Sequence, residues 1–202
     1  MEQGRLWFTA DPHFGDDSND IIYREMRPFG SIAEYTDAQI RIWNEQASPE
    51  DTIYVIGDFC NYNSFEKNYV SGLTVSRRVN ARIILITGNN EDRVIRDHFD
   101  DDFERFRTWC LSDSRFRFED VRKNDYVTLC GQRFFLTHYP ADHDPECLTL
   151  FGHTHRGSGL WKPYGFNVGT DLKHFMLFNE EDIRNLLDQK TWWDKDADMF
   201  SM

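Results

Sequence analysis

Short runs of β-branched, aliphatic and aromatic residues recur along the chain, and each breaks off at a polar segment carrying histidine, aspartate or glycine. Arg5–Ala10 (RLWFTA), Thr52–Ile56 (TIYVI), Arg82–Thr87 (RIILIT), Phe134–Thr137 (FFLT) and Leu148–Phe151 (LTLF) have the length and composition of strands. Tyr126–Leu129 and Arg133–Leu136 flank Cys130-Gly131-Gln132 and predict a hairpin. Helical patterning lies between the early strands. Thr36, followed three residues later by Gln39, predicts a capping box and a helix to about Ala47, with Ile40 and Trp43 on one face. Residues 63–79 and 91–99 predict two more helices, and Asn179–Gln189 a carboxy-terminal one.

This order implies an α/β core, βαβ in its first half and richer in antiparallel pairing in its second. The charge-dense stretch 97–123 interrupts the pattern and is expected to be an elaboration of that core, a solvated connection. In the tail from Thr191, the pair Trp192-Trp193 is expected to dock on the fold.

At 202 residues the chain fits one domain spanning 1–202. With 40% hydrophobic residues, it is neither disordered nor of low complexity. The longest aliphatic run, Ile83–Ile86, is far too short for a membrane helix, and no charged leader precedes an apolar stretch at the amino terminus. Four cysteines without a CxxC pair point to reduced thiols, so a cytoplasmic location is expected. The net charge of −12 repels a phosphate backbone, which disfavours non-specific nucleic-acid binding. An anionic substrate then needs a local reversal of field, and bound divalent cations supply the strongest one.

The polar motifs at the strand ends hold residues of metal-ligand type: Asp11-Pro12-His13, Gly57-Asp58, Gly88-Asn89, His138 and Gly152-His153-Thr154-His155. Loops at the carboxyl ends of parallel strands share one rim, so these groups are expected to converge. Imidazole with carboxylate suits zinc, manganese, iron or nickel. Taken singly each motif is ordinary turn or core chemistry; the ordered set is what points to a metal centre.

In that order the motifs resemble the calcineurin-like metallophosphoesterases, whose signature runs DxH, GD, GNH with an acid, H, and GHxH. The resemblance covers about Leu6 to Asp182 and is nearest to a small bacterial and phage branch, through Asp11-Pro12-His13-Phe14-Gly15 and through Asn167-Val168-Gly169 with Asp171. It implies a four-layer αββα sandwich of two mixed sheets flanked by helices. It implies that Asp11, His13 and His155 hold one metal, that Asn89, His138 and His153 hold the other, and that Asp58 bridges them. The cofactor would be two divalent transition-metal ions, Mn, Fe, Zn or Ni, with manganese expected to serve in vitro. Two such cations can share a hydroxide that attacks phosphorus in line, without a covalent enzyme intermediate.

The chain departs from the signature at residue 90. The family's histidine, which protonates the leaving oxygen or stabilises the transition state, is Asn90 here, and asparagine cannot deliver a proton. Three explanations stand: a substrate whose leaving group needs no acid; a substitute donor, His143 or Glu91; or low activity in a chain that holds its ligand intact. Arg27, Arg93 and Arg156, with Arg24 and Arg96 nearby, could grip further phosphates or a base. Asp16 and Asp17 follow Phe14-Gly15, where the branch commonly has histidine. The expected function is a dinuclear-metal phosphoesterase, a phosphodiesterase for a nucleotide-like or other small phosphate ester. The alternative is a catalytically weakened metal-binding protein that recognises a phosphorylated ligand or partner.

Overall fold

The computed structural model describes residues 4–15 and 20–199, with Asp20 and residues 192–199 described by backbone alone. Asp16, Asp17 and the side chains of Trp192 and Trp193 therefore lie outside the described residues.

Strand β1 (Leu6–Thr9) is followed by α1 (Asp20–Arg24) and α2 (Ile32–Gln46), then β2 (Thr52–Ile56). A π-helical turn, Phe65–Val70, runs through α3 (Ser71–Leu73) into a 3-10 turn, Thr74–Arg78, and leads to β3 (Arg82–Ile86) and α4 (Asn89–His98). Next come α5 (Phe103–Ser112), β4 (Asp120–Arg122), β5 (Asp125–Leu129), β6 (Gln132–Leu136), β7 (Leu148–Phe151), β8 (Trp161–Lys162), β9 (Gly165–Asn167) and α6 (Glu180–Met199). The first sheet, in order β1-β2-β3-β4, is parallel throughout. The second, in order β5-β6-β7-β9-β8, pairs β6, β7 and β9 in parallel and adds antiparallel strands at both edges. The α/β core that the element order implies is present, with the two sheets and flanking helices that the resemblance implies, although only the second sheet is mixed.

One buried cluster joins a face of the first sheet (Ile53, Val55, Ile83, Leu85) to the helices through Trp43, Tyr69, Val94 and Phe106. A second joins the opposite face (Phe8, Tyr54, Ile56, Ile84, Ile86) to Phe134, Leu136, Leu150 and Phe166 of the second sheet. The alternation along β2 and β3 thus supplies both layers at once. Helix α6 adds Ile183 and Leu186 to the second cluster.

Two expectations change. Helix α2 begins a turn before Thr36: Ser31 Oγ accepts from Glu34 N at 3.2 Å, while Glu34 Oε2 accepts from Gly30 N at 2.8 Å. The earlier Ser-x-x-Glu pattern therefore caps the helix, and Thr36 and Gln39 are buried within it. The 97–123 stretch is no solvated elaboration, since it holds α5 and the fourth parallel strand and buries Phe106, Cys110, Phe116 and Val121. Its charges pair locally, as Arg107 with Asp120 at 2.7 Å. The hairpin forms as expected, on a two-residue turn in which Cys130 (φ 52°) and Gly131 (φ 76°) both have positive φ. No helix among the described residues is long and apolar enough to cross a membrane.

Candidate metal centre

The carboxyl ends of β1, β2 and β3 release Asp11 and His13, Asp58, and Asn89; those of β6 and β7 release His138, and His153 with His155. The strand ladders continue into the loops: Asp11 N donates to Gly57 O at 3.1 Å, His13 N to Asp58 O at 3.1 Å, and Gly152 N to His138 O at 3.2 Å. Asp11, His13, Asp58, His153 and His155 all have φ between 45° and 70°. That left-handed conformation costs of order 1 kcal/mol per residue, and it persists where the surroundings over-determine it. The motif glycines make close approach possible. At Gly57 (φ 84°) a side chain would run into the His138 ring, and at Gly152 a Cβ would stand 2.7 Å from Asp11 Oδ2.

All seven residues expected as ligands converge. Ligand atoms of Asp11, His13 and His155 lie within 4.8 Å of one another, as do those of Asp11, Asp58 and His138. The nitrogens His13 Nε2 and His155 Nε2 face each other at 3.2 Å. Asn89 Oδ1 is 3.2 Å from His138 Nε2 and 2.8 Å from His153 Nδ1. Asp58 reaches toward both groups, Oδ2 to His13 Nε2 at 3.5 Å and Oδ1 to His138 Nε2 at 3.7 Å. Atoms bound at about 2.0–2.2 Å to one cation stand about 3–4 Å apart, so this donor set is spaced to hold metal ions.

The outer nitrogens are held so that inner lone pairs face the centre. His138 Nδ1 is 2.9 Å from Ile56 O, and His155 Nδ1 is 2.9 Å from Asp171 Oδ2. Burial lowers the His13 pKa well below its usual range, helped by the charges of His155 and Arg27. Burial pulls His155 the same way, but the Asp171 hydrogen bond and the neighbouring carboxylates outweigh it and raise its pKa. Burial raises both Asp11 and Asp58. Carboxyls so hard to ionise become good ligands when a cation replaces the water they have lost.

Several residues change role. Arg27 cannot grip substrate: it is 3% exposed, pairs with both Asp171 oxygens (2.9 and 3.0 Å), and donates to Pro12 O and Asp11 O. It buttresses Asp171, and through it His155. The Asn90 amide is buried against His13 Nδ1 at 3.4 Å, not directed outward. Glu91 is fully buried, accepting from Gly88 N and Asp58 N at 2.9 Å each, so it fixes the loops from behind and is no substitute acid. His143 stacks on Tyr164 at 4.3 Å in a separate cleft of about 820 Å³ that none of the seven ligands lines. Arg93 and Arg156 are exposed, Arg93 lying over the Tyr62 ring. Tyr139, whose ring packs against His138 and His153, and Asp92, which accepts from its hydroxyl, carried no motif; the segment containing Asn167 and Asp171 was the one legible signal for the supporting groups.

The calcineurin-like phosphoesterase family model matches residues 4–195. The chain belongs to the calcineurin-like phosphoesterase family. AQ665, a protein of unknown function from Aquifex aeolicus, is similar to this phosphoesterase over 91% of the present chain and 99% of its own, at 19% identity and a TM-score of 0.61. YfcE, a phosphoesterase from E. coli, is similar over 82% and 78% (19% identity, TM-score 0.38). A predicted phosphoesterase from Streptococcus pneumoniae is similar over 84% and 72% (13% identity, TM-score 0.32). No curated protein matches the chain.

Proposed function

We propose that this phosphoesterase is a single-domain, two-metal enzyme that cleaves phosphodiesters of nucleotide-like or other small molecules. Asp11, His13 and His155 would hold one ion, Asn89, His138 and His153 the other, and Asp58 both. The observation that carries this reading is Asp58, whose two oxygens face His13 and His138 separately. When bound, two cations supply the charge that acidifies a water and neutralises phosphoryl oxygens. The chain's own part is orientation. Asp171 and Ile56 O fix two imidazoles, and the exposed Arg93 and Arg156 are available to a phosphate or base.

The preference for diesters rests on the missing acid. Asn90 cannot donate a proton, Glu91 is buried behind the loops, and His143 lies in another cleft. A substrate with a stable leaving anion does not need one. The same observation favours the second reading, a weakened enzyme that retains a phosphorylated ligand. Turnover of a chromogenic diester and the matching monoester with added manganese separates them: the first reading requires the diester to be the better substrate, the second requires neither to turn over while phosphate still binds. The ions could be Mn, Fe, Zn or Ni, and we place the enzyme in the cytoplasm on its thiol content.

A further inference from the structure

Two of the four histidines at the centre have an outer ring nitrogen held by an acceptor that is not itself a candidate ligand: Asp171 for His155 and Ile56 O for His138. His153 has no such acceptor. Its Nδ1 meets Asn89 of its own half-site, and among the described residues its Nε2 makes no hydrogen bond. It is also the exposed one, while the other three are buried. Orientation must come from elsewhere.

It comes from a ring. The Tyr139 ring stands edge-on to His153 at 5.2 Å and 60°, and to His138 at 5.1 Å and 81°; the two imidazoles are themselves 5.1 Å apart at 72°. Tyr139 Oη donates to Asp92 Oδ2 at 2.7 Å. Asp92 lies in the first turn of α4, three residues after Asn89. The phenol therefore joins the loop after β6, which carries His138, to the helix that carries Asn89, and its ring braces His153 between them.

We propose that the Tyr139–Asp92 pair is a positioning clasp for the outer half-site, setting how tightly Asn89, His138 and His153 hold their ion. The proposal rests on the two-metal reading above. A surface hydrogen bond of purely structural value would act on the fold as a whole, whereas a clasp on three ligands acts on one ion of the two. Groups that orient ligands without touching the metal commonly change its affinity by about 10- to 100-fold.

The test is a manganese titration of the metal-free full chain, with electron paramagnetic resonance separating isolated ions from spin-coupled pairs. The unaltered chain takes up two ions and develops the coupled signal. Tyr139→Phe and Asp92→Asn should each weaken the second ion by about tenfold or more, leave the first within about twofold, and delay the coupled signal to higher manganese, with the thermal midpoint unchanged. The double variant should be no worse than either single one, because the two residues act as a unit. Unchanged affinity for the second ion in all three variants overturns the proposal. So does a parallel weakening of both ions together with a fall in thermal midpoint, which would make the pair merely structural. If the unaltered chain itself binds no manganese, the two-metal reading fails, and the clasp falls with it.

Discussion

The half-site proposed around Asp11, His13 and His155 and the one proposed around Asn89, His138 and His153 each join two imidazoles to one oxygen donor but differ in what stands behind them. Behind the first lies a buried polar scaffold: Arg27 clamps Asp171, Asp171 holds His155, and Tyr35 Oη donates to Pro12 O at 2.8 Å under the first loop. Behind the second lie one backbone carbonyl and a half-buried tyrosine bonded to the exposed Asp92. Its proposed ligands include a neutral amide oxygen and the exposed His153. Burying a charge is expensive unless it is paired, so the inner scaffold is complete or it is nothing. The outer half gives up that rigidity and keeps an opening to solvent, which a phosphate ester would need in order to reach ions held there as proposed.

The largest effect should come from the one residue common to both halves. Asp58→Asn is expected to lose both ions and to lower turnover by at least about a hundredfold, the upper end for loss of a supporting group in a metal site. Yet the metal-free variant should be no less stable than its parent, because burial already works against the Asp58 charge. Elemental analysis and urea denaturation check the two halves of that statement. Retention of two ions per chain would remove Asp58 from its bridging place.

Next in size is the inner scaffold. Arg27→Met leaves Asp171 buried without its partner, which should cost about 3–5 kcal/mol of stability. The first manganese ion should also bind about 10- to 100-fold more weakly. An effect on the second ion alone would invert the comparison between the halves.

Much of this arrangement was legible in the sequence, for a physical reason. Each ligand follows an apolar strand of four or five residues, and strand ends in a parallel sheet leave little freedom in where the next residues go. The supporting groups were less legible. Arg27 reads as one more arginine beside a loop, and only the tertiary fold shows that 144 positions later Asp171 neutralises it. Tyr139 and Asp92 are likewise brought together across the two sheets. The 97–123 stretch was misread because Asp, Glu and Arg dominate its composition, while the few buried residues that decide its placement, such as Phe106 and Val121, are widely spaced. The short strands β8 and β9 offered two and three residues, too few for a period to declare itself.

A smaller effect concerns pH. Burial and the neighbouring Asp58 charge push the Glu91 carboxyl from 4.5 up to about 8. The folded chain thus keeps a proton that the unfolded chain releases above about 4.5, so this residue's contribution to stability declines as pH rises through that window. In metal-free protein, Glu91→Gln should therefore gain stability relative to the parent between pH 5 and pH 8, read from urea midpoints. A relative loss over the same range would mean that Glu91 is ionised in the fold.

Anomalous scattering at the manganese edge tests the central claim most directly, on crystals of the full chain soaked first at limiting and then at saturating manganese. Density should appear first among Asp11, His13 and His155, and a second peak should follow among Asn89, His138 and His153, with Asp58 between them. Density that fills the outer position first, a single ion at saturation, or no ion at this centre would contradict the account.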